Sequence, residues 1–259
     1  MAHEPPQAPR SVAGVTELMR ILRAPDGCPW DRAQTHRSIA PYCIEEAYEV
    51  VDAIEREDDE ELKSELGDLL LQVVFHAQMA EDRGAFALED VCETLVTKMV
   101  RRHPHVFGEA DGVDWEGMKA EERAARGDDA SRLSGVPVGL PALTRAEKLG
   151  KRASRAGFDW TEQRDVIAKI REELDEVEAA LDGPEDALAG EVGDVLFACA
   201  MLTRKLGLQG ESTLRAANEK FARRFAFLEH RAEESGRAFE EHSLEELEAY
   251  WTEAKQAGL

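Results

Sequence analysis

The chain has 259 residues, enough for one large domain or two small ones, and its 54 acidic against 32 basic side chains leave a formal charge of −22. An acidic excess of this size argues against a general binder of the nucleic-acid backbone and suits a protein that holds cations, so no nucleic-acid polymer is expected as a partner. With 43% hydrophobic and 33% charged residues the chain can bury a core, which argues against disorder throughout.

The start, Met1 to Pro6, lacks a basic stretch followed by an apolar run, so it does not read as a signal peptide. Strand signals are nearly absent, and Ala, Leu, Glu and Arg recur at helical spacing, which predicts an all-α fold. Gly27-Cys28-Pro29-Trp30 reads as a structural turn, since no cation flanks Cys28. From Ile44 the apolar residues Ala47, Val51 and Ile54 follow at steps of 3, 4 and 3, an amphipathic helix. A second helix over Glu65–Ala80 is apolar on most of its circumference and is expected to be buried on most sides. Interrupted by Asp68, Gln72 and His76, it is too short to span a bilayer, and no membrane partner is expected. Leu88–Arg102 makes a third helix, which Pro104 should end, leaving His103 and His105 in a loop. The four cysteines, Cys28, Cys43, Cys92 and Cys199, show no paired spacing and fit a reducing, cytoplasmic compartment.

Residues 109–145 read as a connector with a short helix around Trp115 to Arg126, separating modules over 1–108 and 146–259. The helical pattern then starts again. Glu45-Glu46-Ala47-Tyr48-Glu49, Glu65-Leu66-Gly67-Asp68 and Lys98 to Arg102 recur as Glu172-Glu173-Leu174-Asp175-Glu176, Glu191-Val192-Gly193-Asp194 and Lys220 to Arg224. The offsets are 127, 126 and 122 residues, so the chain is an internal duplication.

Positions three or four apart share a helix face, so each EExxE block forms an acidic stripe, a pattern also common on solvated faces. The ExxD blocks run into strongly apolar sequence, which places their carboxylates close to the core, where unpaired charge is costly and a cation is needed. About 15 residues separate Glu176 from Glu191, and 16 separate Glu49 from Glu65. That allows a helical hairpin that brings EExxE against ExxD. Converging carboxylates make a hard oxygen environment suited to Mg²⁺ or Mn²⁺, while an acidic cluster balanced by arginine is the alternative. Lys220, Arg223 and Arg224 offer cations along one side of a helix. Carboxylates for metal and cations for phosphate together suit phosphoryl or pyrophosphoryl chemistry.

These blocks, with Gly27 to Asp31, Gln34-Thr35-His36, Gly135 to Leu143, Lys151-Arg152-Ala153 and Gly157-Phe158-Asp159-Trp160, resemble the all-α nucleoside triphosphate pyrophosphohydrolases in their tandem, MazG-type form. The resemblance runs from about residue 15 to the C-terminus. It implies two MazG-like helical bundles, hydrolysis of NTPs and dNTPs to monophosphate and pyrophosphate with Mg²⁺, a homodimer, and a second half that carries most of the activity. By motif position, Glu173, Glu176, Glu191 and Asp194 hold metal, while Lys169, Glu172, Lys220, Arg223, Arg224 and Trp251 contact nucleotide or orient water, with Glu172 as the base. Glu45, Glu46, Glu49, Glu65, Asp68, Lys98, Arg101 and Arg102 make a second possible site. Ala187 departs from the family, which commonly carries a lysine four residues before the ExxD glutamate. A relative with one substrate (a dCTP or dUTP pyrophosphatase, or a phosphoribosyl-ATP hydrolase) and a regulatory helical protein that binds nucleotide without turnover are the rival readings. In the first half His103-Pro104 stops the basic helix at once, whereas Phe225 to Glu229 continues it in the second.

Overall fold

The computed structural model describes residues 4–8, 10–108 and 131–259. The expected helix around Trp115 to Arg126 lies outside the described residues. Among the described residues the regular elements are eleven α-helices and one 3₁₀ turn, and the fold is all-α. The chain divides into two compact units, Met1–Lys119 and Ala120–Leu259.

The first unit contains α1 (Val12–Arg23), α2 (Pro29–Ala33), α3 (His36–Glu55), α4 (Asp59–Glu81), α5 (Leu88–Arg102) and α6 (Pro104–Phe107). α1, α3 and α5 each pack on α4. Met19, Ile39, Val74, Phe75 and Leu88 meet there, flanked by Val15, Leu22, Leu70, Leu71 and Val91. Helix α3 starts eight residues before Ile44 because Thr35 and Ser38 form a reciprocal capping box, which satisfies N–H groups that a helix start leaves open. Pro41 is accommodated inside this helix. The start of α3 is also tied to α4 by His36 and His76, whose rings stack with Nδ1 atoms 2.8 Å apart. Burial, then the neighbouring His36, lowers the affinity of His76 for a proton. Helix α5 ends at Arg102 as expected, but Pro104 then opens the one-turn α6, so His105 is helical rather than in a loop.

The second unit contains α7 (Ala142–Arg155), α8 (Gln163–Ala180), α9 (Glu185–Lys205), α10 (Gly210–Glu234), the 3₁₀ turn Phe239–Glu241 and α11 (Leu244–Gln256). Helices α8 and α9 form a hairpin, α7 packs on α9, and α10 meets α7, α9 and α11. Ala146, Val166, Ala200 and Met201 form the core, with Leu143, Trp160 and Leu202 against it. Gly150 sets the α7–α9 approach, since a Cβ there would stand 2.2 Å from Met201 Sδ. Gly157, at φ +88°, turns the chain out of α7 into the aromatic loop Phe158-Asp159-Trp160.

Candidate metal and nucleotide site

Each unit holds its acidic blocks on a helical hairpin, α3–α4 and α8–α9. In the second unit, carboxylate oxygens of Glu173, Glu191 and Asp194 all lie within 4.8 Å of one another. In the first unit the same holds for Glu46, Glu49 and Glu65. Both sets are all-oxygen and compact, the donor chemistry that fits Mg²⁺ or Mn²⁺. Glu176 stands beside the second cluster, hydrogen-bonded to Glu173, and that contact, with burial and the charges of Glu173 and Glu191, pushes its carboxyl above the usual range. Asp68 stands beside the first, where its charge acts on Glu46.

The clusters differ in their compensation. Lys169 Nζ lies 2.6 Å from Glu172 Oε1 and 2.9 Å from Glu173 Oε1. Glu173 is only 6% exposed, yet the Lys169 hydrogen bond outweighs burial and holds its carboxyl below the usual range. Lys169 is in turn held strongly protonated by Glu172 and Glu173. In the first unit the corresponding position is Tyr42. There, burial and then the charge of Asp68, with a contact from Glu49, raise the Glu46 carboxyl, against which the 3.5 Å bond from Gln72 Nε2 is a weak relief. Burial and the charges of Glu49, Glu61 and Asp68 likewise raise Glu65.

The ExxD carboxylates are less buried than the sequence pattern implied. Asp68 and Asp194 are exposed, and Glu65 and Glu191 are half-buried. The reason is that α4 and α9 meet the core with their C-terminal halves, through Val74 to Ala80 and Ala198 to Met201, while Leu66 and Leu196 near the acidic ends are 50% and 57% exposed. Glu45 and Glu172 are exposed and stand outside the clusters.

The basic blocks lie on other helices. Lys98, Arg101 and Arg102 are on α5, and Lys220, Arg223 and Arg224 are on α10, which runs ten residues past Arg224. Lys220 and Arg223 are exposed. Arg224 donates from Nε to the Leu259 carbonyl at 2.7 Å, and its guanidinium lies 5.5 Å from the centre of the Trp251 ring. Trp251 also packs against Phe221, with ring centres 5.3 Å apart. Arg224 and Trp251 thus brace α11 against α10.

Sequence reasoning passed over the pinning of the aromatic loop. Asp159 is bonded by Arg204 and, at 3.4 Å, by Lys205, both at the end of the α9 helix that begins near Glu191 and Asp194. Lys205 also donates to the Trp160 carbonyl. Burial pushes Asp159 up, but Arg204, Ser154 and Lys205 together bring its pKa to about 2. The acidic loop residue lies 45 and 46 positions from the two basic helix-end residues, so no local pattern announced their pairing.

Residues 34–107 match the family model described as the MazG nucleotide pyrophosphohydrolase domain, and residues 146–224 match the phosphoribosyl-ATP pyrophosphohydrolase model. A Thermotoga maritima protein, nucleoside triphosphate pyrophosphohydrolase/pyrophosphatase MazG, is 46% identical over 93% of this chain and 94% of its own length. The nucleoside triphosphate pyrophosphohydrolase of Escherichia coli K12 is 45% identical over 92% of this chain and 95% of its own. The Mycobacterium tuberculosis enzyme of the same name is 42% identical over 50% of this chain and 41% of its own. Two acidic hairpins in tandem, and likeness along nearly the whole length of the Thermotoga and Escherichia coli proteins, converge: the chain is an enzyme of the MazG pyrophosphohydrolase family.

Proposed function

We propose that the protein cleaves the α–β phosphoanhydride of NTPs and dNTPs, giving NMP or dNMP and pyrophosphate, and that the second unit carries most of the turnover. The observation that carries this reading is the compact Glu173–Glu191–Asp194 cluster with Lys169 against it. Those three residues, with Glu176 beside them, would hold Mg²⁺, for which Mn²⁺ could substitute. When bound, the cation neutralises and polarises the phosphates. Glu172, exposed and outside the cluster, orients the attacking water and takes its proton. Lys169 can turn from the carboxylates to a phosphate oxygen. Lys220, Arg223 and Arg224 supply further phosphate charge, with Trp251 supporting Arg224. Water adds to phosphorus, the bond to the bridging oxygen breaks, and pyrophosphate leaves.

The active form is a homodimer in the cytoplasm. Leu66 and Val73 on α4 and Leu95 and Val96 on α5 are apolar and 44% to 60% exposed, as a surface covered by a second copy requires. No helix among the described residues is long and apolar enough to cross a membrane, and the four cysteines are unpaired. Phosphoribosyl-ATP is the second substrate reading, favoured by the match over residues 146–224. A rate panel over eight common NTPs and dNTPs and phosphoribosyl-ATP, with orthophosphate and pyrophosphate measured separately, tests both. Pyrophosphate from many NTPs is expected. Turnover of phosphoribosyl-ATP alone selects the second reading, and orthophosphate with NDP overturns both.

A further inference from the structure

Helix α7, from Thr144 to Lys151, and the turn from α9 into α10 enclose a cavity of about 360 Å³. Lys148 and Lys151 of α7 and Arg204 of α9 stand on its wall, with Thr144, Glu147 and Glu211 among others. Three cations around one hollow run against the formal charge of −22. Arg204 is fixed on the wall by its bond to Asp159. Glu147 is committed within the fold, since its Oε1 accepts the Gly210 N–H and, at 3.4 Å, the Thr203 hydroxyl. Lys148 is exposed and Glu211 half-buried, and neither has a bonded partner among the described residues.

From this set we infer that the cavity is a second ligand site, separate from both acidic hairpins, for a phosphorylated sugar. Lys148, Lys151 and Arg204 take the phosphate, the charge-assisted pairing that such cations make best. Glu211 repels a bare anion but accepts hydrogen bonds from hydroxyls, so an acid beside three cations selects a ligand that carries both groups. The volume, near the lower end for small-molecule pockets, suits a sugar phosphate and admits a mononucleotide. Arg204 lies 13 residues beyond Glu191 on α9, about 20 Å along the helix, so the ligand is not the molecule cleaved at those carboxylates. Bound there, it bridges α7, α9 and α10 and stabilises the second unit by mass action. The binding argument stands apart from the pyrophosphohydrolase reading. A free sugar phosphate and a nucleoside monophosphate share the chemistry, and the second is also the product of the proposed reaction.

Calorimetry on the full chain, with chelator present so that no divalent cation occupies the acidic clusters, tests the site with ribose 5-phosphate, adenosine 5′-monophosphate and orthophosphate. Ribose 5-phosphate is expected to bind more tightly than orthophosphate. Lys148→Glu should weaken both sugar phosphates roughly tenfold or more, as for a lost charge-assisted contact, and should leave kcat/KM for NTPs unchanged. Glu211→Gln should weaken the sugar phosphates and spare orthophosphate. Lys148 is exposed, so its variant keeps the core and decides the matter if Glu211→Gln fails to fold. Tighter binding of the monophosphate selects the nucleotide as the source, and equal binding selects the free sugar phosphate. Absence of heat from every probe, binding indifferent to Lys148→Glu, or orthophosphate bound as tightly as ribose 5-phosphate overturns the inference.

Discussion

Tyr42 and Lys169 hold the same place in the two repeats, four residues before Glu46 and Glu173. In the second unit the ammonium satisfies a buried glutamate. The first unit also gathers three carboxylates but puts a phenol at that position, so burial, and then mutual repulsion, raise the proton affinities of Glu46 and Glu65. Carboxylate spacing alone therefore does not make two equal sites. Matching EExxE and ExxD blocks on equivalent hairpins close different carboxylate triplets and differ in whether their charge is compensated by a cation of the same helix.

The sharpest way to break this comparison is to disable one cluster at a time. Glu173→Gln/Glu176→Gln is expected to lower pyrophosphate release by about 10²-fold or more with helicity retained, because metal ligation is what is lost. Glu46→Gln/Glu49→Gln should leave most of the rate. Equal partial losses in an NTP panel would show that both sites work, and the opposite result would reverse the assignment. Next in size is Lys169→Gln, expected to reduce kcat/KM roughly tenfold, as for a lost charge-assisted bond. Its pH profile gives a second readout. Lys169 holds Glu173 low, so removing it should move the acid-side inflection to higher pH. An unmoved inflection would separate Lys169 from Glu173. The third prediction concerns the helix starts. Thr35→Ala breaks the box that opens α3 and should cost about 1 kcal/mol in denaturant unfolding, whereas Glu162, which makes no side-chain cap at α8, should be replaceable by Ala at almost no cost.

The smallest effect has opposite signs in the two units. Without metal, Glu49→Gln relieves repulsion and should slow hydrogen exchange across the α3–α4 hairpin, while Glu173→Gln removes the buried one of the two partners of Lys169 and should speed exchange across α8–α9. The pH dependence follows the same division. Glu46 and Glu65 bind protons more tightly folded than unfolded, so the stability of the first hairpin is greatest below the ordinary glutamate pKa and falls as pH rises through their elevated values. Glu173 is depressed, so its contribution is present above the ordinary value and is lost as pH falls through the folded one, while Glu176 beside it is raised and acts with the sign of Glu46 and Glu65. The response to mild acid is therefore expected to be larger in the first hairpin, where the shifts add, than in the second, where they oppose; equal responses would remove the proposed asymmetry.

The helical class, the repeat and the hairpins were legible because they rest on local periodicity and on motifs repeated at nearly constant offset. The capping box before α3 was legible too, in Thr35 and Ser38, but an apolar count starting at Ile44 looks past polar first turns. Burial of the ExxD residues was misjudged for a different reason: a run such as Val195 to Leu202 shows that a helix is apolar and not which of its ends reaches the core. The Lys169–Glu173 pair follows from four-residue spacing and could have been read directly. The bonds from Arg204 and Lys205 to the aromatic loop are tertiary and have no local signature.

Those last bonds make α9 a rod with different duties at its two ends. Glu191 and Arg204 are 13 residues apart, about 20 Å along the helix. Chemistry is assigned to one end, and the pinning of the aromatic loop to the other. Substitutions around Asp159, at the loop end, therefore fall more than three helical turns from Glu191. The scaffold separates the fixing of its aromatic loop from the carboxylates to which bond cleavage is assigned.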